Sequence, residues 1–161
     1  MRADDIRLLF DYSYAATQRI LAAAARLEDD VFAATPPIGG SPSVRDMLVH
    51  VLDAEQSWRR RLQRDEYIPE PDLDPNDYPT VGAFADAWRV NEQEMRDWLA
   101  TLDDAAVAAA IYRGRPLWCY LLHVCNHGMQ HRSEAAMILT HFGASPGDLD
   151  FSFFLRGWSD H

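Results

Sequence analysis

The segment His123-Val-Cys-Asn-His127-Gly-Met-Gln-His131 carries three imidazoles at intervals of four residues. On a helix that interval stacks them along one stripe, and neutral imidazole nitrogen is a good ligand for divalent transition metals. His123 and His131 stand eight residues apart, about 12 Å along a helix axis, whereas nitrogens sharing one ion sit about 3 to 3.5 Å apart. Only adjacent members can share an ion. Either His123 pairs with His127 or His127 with His131, so His127 belongs to the site on both readings. A third ligand must come from another helix, and His50 is the only other mid-helix histidine. Three neutral nitrogens with open positions describe a catalytic metal site. A single buried histidine more often just hydrogen-bonds within a core, but an i, i+4 pair on an inward stripe favours ligation.

Glu134 follows His131 by three residues and shares its face. It is a candidate general base, a partner that orients the imidazole, or a carboxylate ligand, with an arginine salt bridge as the structural alternative. Asp53, one turn after His50, is either an orienting partner of that ring or a solvated acid. His141 suits a helix C-terminus and His161 is the last residue, so neither is assigned to the site. The run Arg59-Arg60-Arg61 with Arg64 reads as the arginine-rich last turn of a helix.

The elements that must position these groups are helical. From Asp5 to Leu27, apolar residues recur at three and four, as on one helix face. The Thr35 to Pro42 stretch breaks that pattern, and Ser43-Val44-Arg45-Asp46 reads as a capping box opening a second helix that carries His50. Four prolines and several acids between Asp65 and Pro79 describe a long crossing loop. Thr80 caps a third helix with Phe84, Trp88, Asn91, Met95 and Trp98 on one stripe. The fourth helix runs from Leu117 to about Phe142, with Tyr120, Val124, His127, His131, Glu134 and Ile138 expected inward and Gly143 and Pro146 as its stop. The expected fold is all-α: a single-domain antiparallel four-helix bundle over residues 1–161 with an irregular aromatic tail, Asp148 to His161.

Composition bounds the function. All 15 basic residues are arginine against 25 acids, giving a net charge of −10 that disfavours nucleic acid and anionic membrane surfaces. Without lysine, Schiff-base catalysis and a P-loop are excluded. No apolar run approaches the roughly 20 residues that span a bilayer, and the start lacks a signal-peptide core, so a cytoplasmic protein is expected. Cys119 and Cys125, about 9 Å apart on one helix, are beyond disulfide reach and are expected as reduced, buried small hydrophobes.

The segments Asp11-Tyr12-Ser13-Tyr14, Ser43 to His50 and Asn126-His127-Gly-Met-Gln-His131-Arg132, with the closing Phe142-Gly143-Ala144-Ser145-Pro146, resemble the DinB/YfiT-like superfamily of metal-dependent four-helix-bundle proteins over nearly the whole chain. The resemblance implies His50, His127 and His131 as ligands, with His123 as a neighbour. It also implies nickel or zinc as the metal, with iron or manganese as alternatives, and a homodimer. Some members use a low-molecular-weight thiol such as bacillithiol or mycothiol in S-transfer or isomerisation. Where the superfamily usually reads His-Arg-Gly-Gln, this chain has His131-Arg132-Ser133-Glu134, which adds a carboxylate beside the site. The resulting expectation is a metal-dependent enzyme, S-transferase-like or hydrolase-like, acting on a small-molecule substrate or thiol. The competing readings are a metal-binding stress-response or sensor protein without turnover and a purely structural bundle.

Overall fold

The computed structural model describes residues 1–67 and 69–158, and His161 lies outside them. Its long helices are α1 (Ala3–Ala24), α3 (Val44–Arg64), α4 (Val81–Ala100) and α6 (Leu117–His141). α1 lies against both α4 and α6, and α3 lies against both as well, so α1 and α3 face each other across the bundle diagonal. The segments joining α1 to α3 and α4 to α6 are therefore crossover connections, whereas the Asp65 to Pro79 loop, expected to cross, joins the neighbouring helices α3 and α4. No helix among the described residues is long and apolar enough to cross a membrane.

Local chemistry sets the helix ends. Ser43 Oγ accepts from Asp46 N at 3.0 Å, and Thr80 Oγ1 accepts from Ala83 N at 3.1 Å, each satisfying one orphan donor of a first turn. The Asp46 carboxylate engages Arg45 at 3.1 Å, so Ser43 supplies the cap that the expected box would have shared. At the other end of α6, Gly143 takes φ 78°. This lets Gly143 N bond Thr140 O at 3.0 Å and Ala144 N bond Leu139 O at 2.8 Å, the paired bonds of a Schellman stop.

Among the described residues, the short helices α2 (Asp29–Ala33) and α5 (Asp104–Ala108) lie in the connections and α7 (Phe151–Leu155) in the tail. A two-residue antiparallel pair, β1 (Ala110–Ile111) with β2 (Arg115–Pro116), precedes α6. The aromatic tail is thus partly helical rather than irregular. Asp150 Oδ1 caps α7 by accepting from Ser152 N at 2.7 Å, and Tyr12 Oη donates to Leu149 O at 2.6 Å. Phe151 and Phe154 then pack on the Tyr12 ring, with centroids 5.0 and 5.7 Å away.

The buried stripe of α6 is Leu117, Leu121, Val124, Cys125, Gly128, Arg132, Ala135, Ile138 and Leu139. This corrects the expected inward stripe: Tyr120, His127, His131 and Glu134 are only half-buried and lie on its flank. The deep positions, each one residue after a histidine, belong to Gly128 and Arg132 instead. Cys125 is buried, as expected, but Cys119 is only half-buried, and both thiols are free.

Candidate metal centre

α3 and α6 form the most extensive helix pair, and the candidate site sits on their seam. The stripe geometry of α6 places His127 and His131 one turn apart with ring centroids 4.6 Å from each other. α3 brings His50 across to both, with centroids 5.0 Å from His127 and 4.8 Å from His131. One ring nitrogen from each of the three lies within 4.8 Å of the others, a group that could hold a metal ion. The Nε2 atoms of His50 and His127 are 3.2 Å apart, close to the separation of about 3.3 Å for two nitrogens bound tetrahedrally to one ion.

The electrostatics suit ligation. Burial and the neighbouring imidazoles of His131, His50 and His123 push His127 down to about 4, so it is neutral with a free lone pair at physiological pH. The His131 Nδ1–H donates to Glu134 Oε2 at 2.7 Å. That bond fixes the tautomer and leaves His131 Nε2 as the available donor atom. Glu134 Oε1 meanwhile accepts from Gln130 Nε2 at 3.3 Å. His50 is exposed, so the centre opens to solvent on the α3 side. The donor set fits a divalent transition metal: three neutral nitrogens at ligand spacing, one oriented by a carboxylate, with an open side.

His123 stands apart from this group. Its exposed ring lies 6.0 Å from His127 and packs edge-on against Trp58 at 5.1 Å. His141 sits at the far end of α6 beside Phe142. Asp53 does not orient His50; its Oδ1 accepts from Leu73 N at 3.2 Å and pins the loop between α3 and α4 to α3.

Compared with known families, residues 2–159 match the model of the DinB family. The chain belongs to the DinB family. One solved structure similar to this DinB-family protein is a conserved protein from Enterococcus faecalis, at 12% identity and TM-score 0.57, covering 83% of this chain and 94% of that one. At that identity the likeness concerns the fold. No curated protein matches the chain in sequence.

Beneath the histidines this DinB-family protein carries a polar interior that sequence reasoning missed. Glu55, Asn91, Arg59, Arg132 and Ser13 are all buried. Tyr14 Oη and Asn91 Nδ2 each donate to Glu55 Oε1 at 2.8 Å. Arg59 Nη1 donates to both the main-chain and side-chain oxygens of Asn91 at 2.9 Å, and its Nη2 bonds Glu94. Arg132 Nη2 donates to Ser13 Oγ at 3.1 Å. Burial pushes the Glu55 carboxyl up, opposed by the Tyr14 hydrogen bond and the Arg132 charge, and burial pushes Arg132 down. All four long helices contribute, so the network fixes their relative rotation, including that of the two helices bearing the histidines. The available signal was positional: Glu55 and Asn91 fall on apolar stripes, where an unpaired polar group would be costly.

Proposed function

We propose that this DinB-family protein is a metal-dependent enzyme in which His50, His127 and His131 hold one divalent transition metal. Nickel or zinc comes first, as the family resemblance implies, with iron or manganese next; imidazole nitrogen suits nickel, zinc and iron, and manganese prefers oxygen ligands. When bound, such a metal lowers the pKa of a thiol or water at its open positions, supplying thiolate or hydroxide to an electrophile. The co-substrate is a low-molecular-weight thiol of the bacillithiol or mycothiol kind. His131 presents Nε2 because Glu134 holds Nδ1, which makes Glu134 a positioning residue in this reading. His127 stays unprotonated because it is partly desolvated among other imidazoles. The observation that carries the proposal is the convergence of three ring nitrogens within 4.8 Å on the seam of two helices.

A second reading, a metal-binding stress or sensor protein without turnover, is favoured by one observation. The clefts of about 610 and 540 Å³ are lined by Arg59, Glu94 and Trp98 in one case and by Tyr12, Ser133 and Phe151 in the other, and neither includes the three histidines. Two measurements divide the readings. Protein expressed in metal-supplemented medium is expected to carry about one transition metal per chain, and His127→Ala to carry none; a metal-free wild type removes both readings. Metal-loaded protein is then incubated with bacillithiol or mycothiol and monochlorobimane. Conjugation faster than with thiol alone supports the enzyme, and no acceleration across a panel of metals leaves the sensor.

A further inference from the structure

The arginines at the end of α3 divide sharply in their partners. Arg59 bonds Glu94, while Arg60 and Arg64 share Glu70 at 2.8 and 3.5 Å. Arg61, in a chain whose acids outnumber its bases 25 to 15, has no carboxylate partner among the described residues. Its guanidinium lies instead over the rings of Trp58, Tyr67 and Tyr112, 4.6, 4.2 and 5.7 Å from their centroids. Cation–π contacts hold a guanidinium in place through its face and leave its edge donors free. The face is occupied here and the Arg61 Nε is buried, which leaves the two Nη groups as the fork that a carboxylate would meet.

This cation ends an aromatic strip that starts at the histidines. His123 lies 6.0 Å from His127, and Trp58 lies 5.1 Å from His123. Tyr120 stacks on Trp58 at 5.6 Å with an interplanar angle of 25°, and Tyr112 follows edge-on at 5.8 Å. Trp58, Tyr120 and Tyr112 are half-buried rather than sealed in the core. Arg61 comes eleven residues after His50, which is three helical turns on one face and about 16 Å of rise. Both side chains lean back toward the helix N-terminus, the longer arginine further, so the guanidinium stands roughly 10–15 Å from the histidine cluster.

We propose that Arg61 and the strip of Trp58, Tyr120 and Tyr112 bind the carboxylate end of a small organic ligand whose other end reaches the three histidines. A single planar fork suits one carboxylate, taken bidentately. The rings favour an apolar or planar body by stacking and area burial. The span sets a ligand length of about 10–15 Å, which two linked aromatic rings bearing a thiol and a carboxylate at their ends, or a tripeptide-sized thiol, would meet. The reach to the histidines rests on the metal-centre reading above, whereas the carboxylate shelf stands without it.

The test therefore has two arms. In the first, metal-free full-length protein is titrated calorimetrically with biphenyl-4-carboxylate and with biphenyl-4-carboxamide. The acid is expected to bind about tenfold or more tightly than the amide, as one charge-assisted pair would give. Arg61→Gln should erase that preference and Arg61→Lys should keep part of it, with unchanged circular dichroism in both. No binding of the acid, equal binding of acid and amide, or a preference that survives in Arg61→Gln overturns the shelf. In the second arm, cobalt-loaded protein is titrated with 4′-mercaptobiphenyl-4-carboxylate. A thiolate-to-cobalt charge-transfer band, reached at about tenfold lower ligand concentration in wild type than in Arg61→Gln, supports the reach. Cobalt-loaded protein that binds the acid without the band overturns the reach, and protein that takes up no cobalt defeats the metal-centre reading alone.

Discussion

Gly128 gives a sharp test of the buried network. In an exposed helix interior, Gly→Ala stabilises by about 0.5–1 kcal/mol because the glycine backbone loses more freedom on folding. At Gly128 an added Cβ would stand 2.8 Å from Arg132 Nη1, 3.2 Å from Nη2 and 3.3 Å from Cζ. Such a distal clash is cheap for a solvent-borne guanidinium, but Arg132 is 2% exposed and bonded to Ser13. Giving way means loosening a charged hydrogen bond, about 1.5–3 kcal/mol, at a side chain almost wholly closed to bulk solvent. Net destabilisation of about 1–2 kcal/mol is expected for Gly128→Ala, or roughly 2–8 °C in Tm for a domain of this size. Urea and thermal melts of the metal-free protein measure it, so that any change in metal affinity does not enter. In an Arg132→Met background the obstacle is removed, and the same Gly128→Ala change should be neutral or stabilising. A rise in Tm on the wild-type background, or equal effects in both backgrounds, would refute the argument that Arg132 is locked against the Gly128 backbone.

Other expectations follow from the same geometry. Glu134→Gln should weaken metal affinity by about 10–100-fold while His131→Ala weakens it further, read by competition with a chromogenic chelator; equal affinities for Glu134→Gln and wild type would remove the positioning role. In metal-free protein, His127 takes up its proton only near pH 4 when folded but near 6.5 when unfolded. The unfolded chain thus binds more protons in that window, and stability should fall as pH drops from about 6.5 toward 4. His127→Phe should flatten the fall in urea midpoints between pH 7 and 4.5. Burial pushes the Cys125 thiol up to about 12, so it should resist a thiol reagent at pH 8 until the protein unfolds; fast modification of Cys125 in the native state would contradict its placement. Ser43→Ala should lower stability by about 1 kcal/mol through loss of the α3 cap, visible as a shifted urea midpoint.

The sequence spoke most clearly where one signal dominates. Ser43, Thr80 and Gly143 mark helix ends because cap chemistry is local, and the i, i+4 spacing of His127 and His131 survives any detail of packing. Residue spacing alone left the pairing with His123 open, since both pairs satisfy it; the choice depends on where α3 delivers His50, a tertiary fact. The inward stripe of α6 was misplaced for a related reason. A buried arginine over a glycine reads as a polar gap, and the neighbouring histidines, more apolar by comparison, drew the stripe onto the flank. Asp53 and Arg61 look like ordinary helix-surface charges; the loop after α3 gives Asp53 its partner, and Arg61 gains the rings of Tyr67 and Tyr112 beside that of Trp58 on its own helix. The short helices α2, α5 and α7, five residues each, do not complete enough turns to show a period.

The charged interior also shapes how this protein responds to temperature. Unfolding uncovers Arg59, Arg132, Glu55 and Asn91 along with the aliphatic core. Hydration of polar surface lowers the heat-capacity increment that apolar surface raises. The bundle should therefore show a smaller increment than an all-aliphatic core of equal size, and a flatter stability curve. Such a curve loses less on cooling, and its cold-denaturation limit moves to lower temperature.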